Sequence, residues 1–104
     1  MGKYTDYVMK IAQDLLAVPS PSGFTHMAAE FVKEEFENLG YEPQITQKGA
    51  VLVKLGGKDD KNAVVLAAHM DTLGGMVCQI MDKGHLKLTN IGGMNPNNAE
   101  AENC

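Results

Sequence analysis

VVLAAHMDTLGG, residues 64–75, runs five small or branched apolar residues into a histidine, sets an aspartate two positions further on, and closes on a Gly-Gly break. Residues 63–68 (AVVLAA) show no polar alternation, which predicts a strand buried on both faces, central in a sheet that helices cover. Successive strand residues point to opposite faces, so His69 and Asp71 share one face and Met70 takes the other. The end of such a strand opens on the crevice where α/β sheets hold ligands. A metal-bound imidazole donates from its second ring nitrogen, and a nearby carboxylate accepts that hydrogen bond and fixes the tautomer. His-x-Asp at this place therefore suits one half of a metal site. It equally suits a histidine satisfied by a neighbouring carboxylate with no ion. The glycines that follow let backbone approach closely.

Upstream of this stretch the pattern is helical. Tyr4, Tyr7, Val8, Ile11, Ala12, Leu15 and Leu16 recur at spacings of three and four, which predicts a helix over 4–18 with Thr5 or Asp6 as its cap. Pro19 ends it, because proline disfavours helical geometry in the residue before it. PSPSG, residues 19–23, reads as a turn. A second helix is expected over about 25–39, with Thr25 as N-cap and Gly40 as its stop. Its Glu34, Glu35 and Glu37 fall mostly on the outer, solvated face. Strands are expected at 41–46, edge-like because of Pro43, and at 50–55. GGKDDKN is an exposed loop. Residues 75–81 and 85–89 predict a hairpin turning at Asp82-Lys83-Gly84. The remaining tail has almost no apolar periodicity.

Neither helix can bury its apolar stripe alone, so the pair is expected to pack on the sheet. The predicted class is α/β, two helices on a mixed sheet. A seam falls near Leu73-Gly74-Gly75, between the covered sheet and a polar, alternating hairpin.

Composition narrows the function classes. A net charge of −4 with acids and bases interspersed argues against nucleic acid, which calls for a basic patch, and against an anionic membrane surface. No apolar run approaches the ~18 residues of a membrane span. Charges in MGKYTDYVMK stand where a signal peptide would need its apolar stretch. The start Met-Gly lacks the hydroxyl residue of a myristoylation signal, since position 6 is Asp6. Cys78 and Cys104 match no zinc spacing and are too few for a disulfide scaffold, so two reduced thiols in a cytoplasmic protein are expected.

The candidate site does not close by itself. A catalytic zinc takes about three protein ligands and an open position. Only His69 is a convincing ligand; His26, in the first turn of a helix, and His85, after a turn, are expected to be exposed. Either the site lies elsewhere or this chain supplies part of one.

LLAVPSPSG, FVKEEFENLGYEP, VVLAAHMDTLGGMV and GHLKLTNIGGMNPNNAEAEN together resemble, in order and over nearly the whole chain, the N-terminal part of the glutamyl and deblocking aminopeptidases. These are co-catalytic metallopeptidases that assemble as tetrahedral dodecamers. The family signature Ala-His-x-Asp-Glu-Ile-Gly stands here as Ala68-His69-Met70-Asp71-Thr72-Leu73-Gly74, matching at His69 and Asp71 and departing at Thr72 and Leu73. His-x-Asp-Thr is also similar to the sister dipeptidase, tripeptidase and deacylase family. Met76-Val77, the Gly84 turn and Ile91-Gly92-Gly93 favour the first.

The resemblance implies that His69 binds one of two divalent metals, zinc or cobalt, and that Asp71 is the catalytic-site carboxylate orienting it. The remaining ligands and the general base would lie downstream, and Glu34-Glu35 does not match the family's Glu-Glu pair. Residues 1–74 would begin a zinc-peptidase-like α/β/α domain, and residues 75–104 an inserted β-rich oligomerisation domain. Peptides would be the substrates and a homo-oligomer the full-length state. The 104-residue chain alone would be inactive and bind metal weakly. A non-catalytic assembly or binding piece with the same fold is the alternative from another class.

Overall fold

The computed structural model describes residues 2–59 and 61–102. It holds two α-helices and two separate two-stranded antiparallel sheets, a mixed α/β arrangement. The first helix, α1, spans Thr5–Leu16. It starts from Tyr4 with no side-chain cap, so the expected capping by Thr5 or Asp6 does not occur. The Thr5 N–H instead donates to the Gly2 carbonyl at 3.0 Å. Asp6 lies in the first turn, where a negative charge suits the helix dipole. The last turn tightens as Val18 N–H reaches Leu15 O, and Pro19 stops propagation.

The second helix, α2, spans His26–Asn38, with Thr25 at the N-cap position but no bond from its side chain. Its C-terminus is closed by a left-handed glycine. Gly40, at φ +87°, donates to Glu37 O at 2.9 Å, and Tyr41 N–H reaches back to Phe36 O at 3.0 Å. This is the paired 5→2 and 6→1 pattern that left-handed glycine makes possible. The apolar contact that accompanies it is the Phe36–Tyr41 ring pair, edge to face at 6.2 Å. Of the three predicted acidic residues, Glu37 pairs with Lys33 at 3.2 Å; Glu34 is exposed and Glu35 half-buried.

α2 packs on α1 and on a short hairpin of β1 (Gln44–Ile45) and β2 (Val51–Leu52). Ala28 and Ala29, 0% and 1% exposed, are the fully buried apolar residues, small enough to bring these layers together. The strands expected at 41–46 and 50–55 shrink to two residues each. Pro43, buried and without an N–H, bars the ladder from extending upstream. On the other side the Thr46–Ala50 turn closes with three bonds: Thr46 N to Ala50 O, Gly49 N to Thr46 O, and Ala50 N to Thr46 Oγ1.

The hairpin of β3 (Gly74–Ile80) and β4 (Leu86–Ile91) is present, turning through a 3-10 segment at Asp82–Gly84. Lys83 and Gly84 both take positive φ there. The register slips by one between Val77 and Gln79, so Cys78 bulges from the ladder. Its exposed thiol donates to Lys87 O at 3.3 Å. Cys104 lies outside the described residues.

The central strand is where the structure departs most from expectation. Residues 63–71 form no strand, and no backbone–backbone hydrogen bond reaches them among the described residues. Val64, Val65 and Leu66 are 87%, 81% and 85% exposed. A buried parallel strand needs ladder partners on both edges and a layer on each face. None of the described elements takes those places, and α2 packs on α1 and the β1–β2 hairpin instead of both helices covering a mixed sheet. The surface totals say the same. The chain exposes 9165 Å² against about 5,700 Å² for a free-standing domain of its mass. Its radius of gyration is 17.9 Å, where about 13 Å is usual at this length. No helix among the described residues is long and apolar enough to cross a membrane.

Candidate functional site

The turn after α1 and the stretch after the apolar run come together. Ser20 O accepts from Thr72 N–H at 2.7 Å, and Ser22 N–H donates to Thr72 O at 3.3 Å, a parallel bridge centred on Pro21 and Thr72. The turn has a local reason to hold its shape. Phe24 N–H donates to Pro21 O at 2.8 Å across a four-residue turn whose third position, Gly23, takes φ +90°; only glycine adopts this freely. Ser20 is 3% exposed and joins the bridge through its carbonyl; its hydroxyl has no partner among the described residues.

Gly74 is there because nothing larger fits. A Cβ at this position would lie 2.8 Å from Pro21 Cβ, a rigid ring atom. At Gly75 a Cβ would make ordinary contact with Leu88 at 3.5 Å. Gly74→Ala is therefore expected to cost about 1–3 kcal/mol by overpacking, read by denaturant unfolding. Gly75→Ala should stay within about 1 kcal/mol of the parent. Equal effects at the two positions would contradict the close approach of Pro21.

On this bridge stand the two residues singled out from the sequence. Asp71, whose side chain is 41% exposed, uses both carboxylate oxygens. Oδ2 accepts from Ser22 Oγ at 2.5 Å, and Oδ1 faces His69 Nδ1 at 3.1 Å. The same Nδ1 lies 3.2 Å from the Asp71 carbonyl oxygen. A carboxylate and a carbonyl can only accept, so Nδ1 carries a proton, and in the neutral ring Nε2 keeps its lone pair. Nε2 has no partner among the described residues, and the imidazole is 86% exposed.

Ser22, donating its hydroxyl, is the main cause that holds the Asp71 carboxyl below the usual aspartate range; His69 adds to it. A depressed carboxyl adds stability above its unfolded value and loses it as pH falls through the folded value. The Asp71 side-chain carbon is thus expected to titrate in NMR below an ordinary aspartate, and Ser22→Ala to move that midpoint upward. A midpoint at or above the ordinary value would contradict the two bonds.

The site departs from the sequence expectation at one residue and agrees with it at the other histidines. Ser22 was invisible, because a serine between proline and glycine reads as a turn former, and its partner is 49 residues away. His26 and His85 are exposed, with His26 edge to face on Phe24 at 4.6 Å. Among the described residues no three His, Cys, Asp or Glu side chains gather as a ligand set. Yet the chemistry present fits one ligand of a metal centre: an exposed imidazole with one nitrogen anchored to a carboxylate and the other facing outward, a lone-pair donor when the ring is neutral.

Comparison with known proteins adds an independent line. The sequence model of the M42 glutamyl aminopeptidase family matches residues 49–104. YhfE of Bacillus subtilis, which carries an aminopeptidase name, is 34% identical over 96 residues, covering 92% of this chain and 28% of that protein. The glutamyl aminopeptidase of Lactococcus lactis is 31% identical over 83 residues, covering 79% of this chain and 23% of that protein. The lysyl aminopeptidase of Pyrococcus furiosus is 31% identical over 88 residues, covering 84% and 25% respectively. The chain spans about a quarter of the length of these relatives.

Proposed function

Because the chain belongs to the M42 glutamyl aminopeptidase family, we propose that it is the N-terminal segment of a metal-dependent aminopeptidase. Residues 1–74 belong to its catalytic α/β domain and residues 75–104 open an inserted β-rich domain that serves oligomerisation. The observation that carries this reading is the His69 imidazole, bound to Asp71 through Nδ1 and open at Nε2. In it His69 holds one of two divalent cations, zinc or cobalt, and Asp71 keeps the ring in the competent tautomer. When bound, such a pair of cations supplies Lewis acidity toward a peptide carbonyl and makes water nucleophilic near neutral pH.

The remaining ligands and the general base come from the rest of the longer polypeptide. The excess exposed surface supports this, as does a ligand set that does not close on His69 alone. Two relatives with equal identity to this segment are named for a glutamyl and a lysyl activity.

The test compares the full-length polypeptide with the 104-residue chain on peptides with free and with acetylated N-termini. Cleavage by the long form is expected to need a free amine, to stop on chelation and to return with zinc or cobalt. The short chain should be inactive. Turnover by the short chain would refute its incompleteness. Preference for acylated substrates would replace the aminopeptidase reading with a deacylase activity, and metal-independent turnover would sink the proposal.

A further inference from the structure

We propose that Ser22 is a positioning residue for the metal-ligand histidine, acting through Asp71. This rests on the metalloaminopeptidase reading of His69 and adds to it a residue 49 positions from its contact. The His-x-Asp pair alone has a weakness. Asp71 is bound to a highly exposed imidazole. A carboxylate held only by that ring can rotate about its side-chain torsions and release Nδ1. A neutral imidazole so released takes either tautomer, and with the proton on Nε2 the outward nitrogen has no lone pair to give.

Ser22 removes that freedom. Its hydroxyl takes Oδ2 at 2.5 Å and leaves Oδ1 for Nδ1 at 3.1 Å, so the two bonds together fix the carboxylate plane. The hydroxyl is itself placed by backbone. The Pro21–Thr72 bridge locks Ser22 N–H onto Thr72 O, one residue from Asp71. The turn closed by Phe24 N–H and opened by Gly23 sets the direction of the chain through Ser22. The absence of a side chain at Gly74 lets Pro21 come close enough for the bridge to form. Four backbone features thus converge on one hydroxyl: the bridge, the Phe24 turn, Gly23 and Gly74. The relay runs Ser22 Oγ–H to Asp71 Oδ2, then His69 Nδ1–H to Asp71 Oδ1, and ends at a free Nε2.

The experiment uses the full-length polypeptide with histidine labelled in the ring nitrogens, and three variants: Ser22→Ala, Ser22→Val and Ser22→Thr. Valine and threonine have nearly one shape, so they differ in the hydroxyl alone. In the metal-free wild type, ring-nitrogen shifts should show His69 as the Nδ1–H tautomer. Ser22→Ala and Ser22→Val should give a mixed population and zinc affinity lower by about tenfold, the low end for partners of metal-binding histidines. Ser22→Thr should restore both.

If the wild-type ring is Nε2–H, or if Ser22→Val matches Ser22→Thr in tautomer and affinity, the proposal is overturned. The wild-type measurement decides even where a variant misfolds. A His69→Ala variant separates the two claims. Unchanged zinc binding in it would refute the metal-ligand reading, while loss of zinc there with no effect at Ser22 refutes only the role of Ser22.

Discussion

Replacing His69 by Ala in the full-length polypeptide is expected to lower kcat/KM by on the order of a thousandfold or more, roughly 4 kcal/mol of lost transition-state stabilisation. The metal content of the purified protein should fall by about one ion per active site. The size follows from what the imidazole contributes. In its neutral form it is a lone-pair donor whose proton is already committed to Asp71. Among the described residues neither His26 nor His85 joins it in a ligand set. Asp71→Asn provides the graded companion. The amide can offer an N–H where the carboxylate only accepts, which favours the wrong imidazole tautomer while keeping the shape. A loss of about 10–100-fold is expected, in metal affinity and activity together. Metal analysis and steady-state kinetics on the same preparations check both. A His69→Ala enzyme within a few-fold of the parent and with full metal content would end the assignment of His69 as a ligand.

The parts that local chemistry controls were legible in the sequence, and the parts that depend on distant partners were not. The stop of α2 is an example of the first kind. Gly40 was enough to place the helix end, because the satisfied carbonyls belong to the preceding turn. The hairpin at Asp82–Gly84 is another, since the turn residues and the alternating flanks all lie within its own length. His69 and Asp71 were legible as a pair because two positions along an extended chain return to the same side.

Ser22 belongs to the second kind. Its role exists only once Pro21 meets Thr72, and no periodicity announces a contact across 49 residues. The start of α1 shows a milder limit. Thr5 and Asp6 are good capping types, but the chain enters the helix one residue earlier, at Tyr4, and puts both inside. AVVLAA is the instructive failure. Its pattern encodes an environment, apolar on both faces and paired on both edges, and the elements of this segment do not supply it.

That mismatch yields the second large prediction, in backbone amide exchange. In the 104-residue chain, the amides of residues 63–71 are expected to exchange at nearly the rate of an unstructured peptide, because no backbone acceptor reaches them. In the full-length polypeptide the same amides should slow by a factor on the order of a thousand or more. Core strands open only near the global unfolding free energy, and even about 5 kcal/mol gives that protection. Val64, Val65 and Leu66 are the reason to expect burial there. Leaving three such side chains in water forgoes about 1.5–3 kcal/mol each, and the chain as a whole exposes far more surface than a domain of its mass retains. The hairpin amides of β3 and β4 serve as the internal reference, since their ladder is already complete within the segment. They should differ less between the two forms than residues 63–71 do. Fast exchange at 63–71 in both forms would mean that the apolar run is never a central strand. His69 would then stand at the end of a loop, without the sheet edge that the proposed metal site needs.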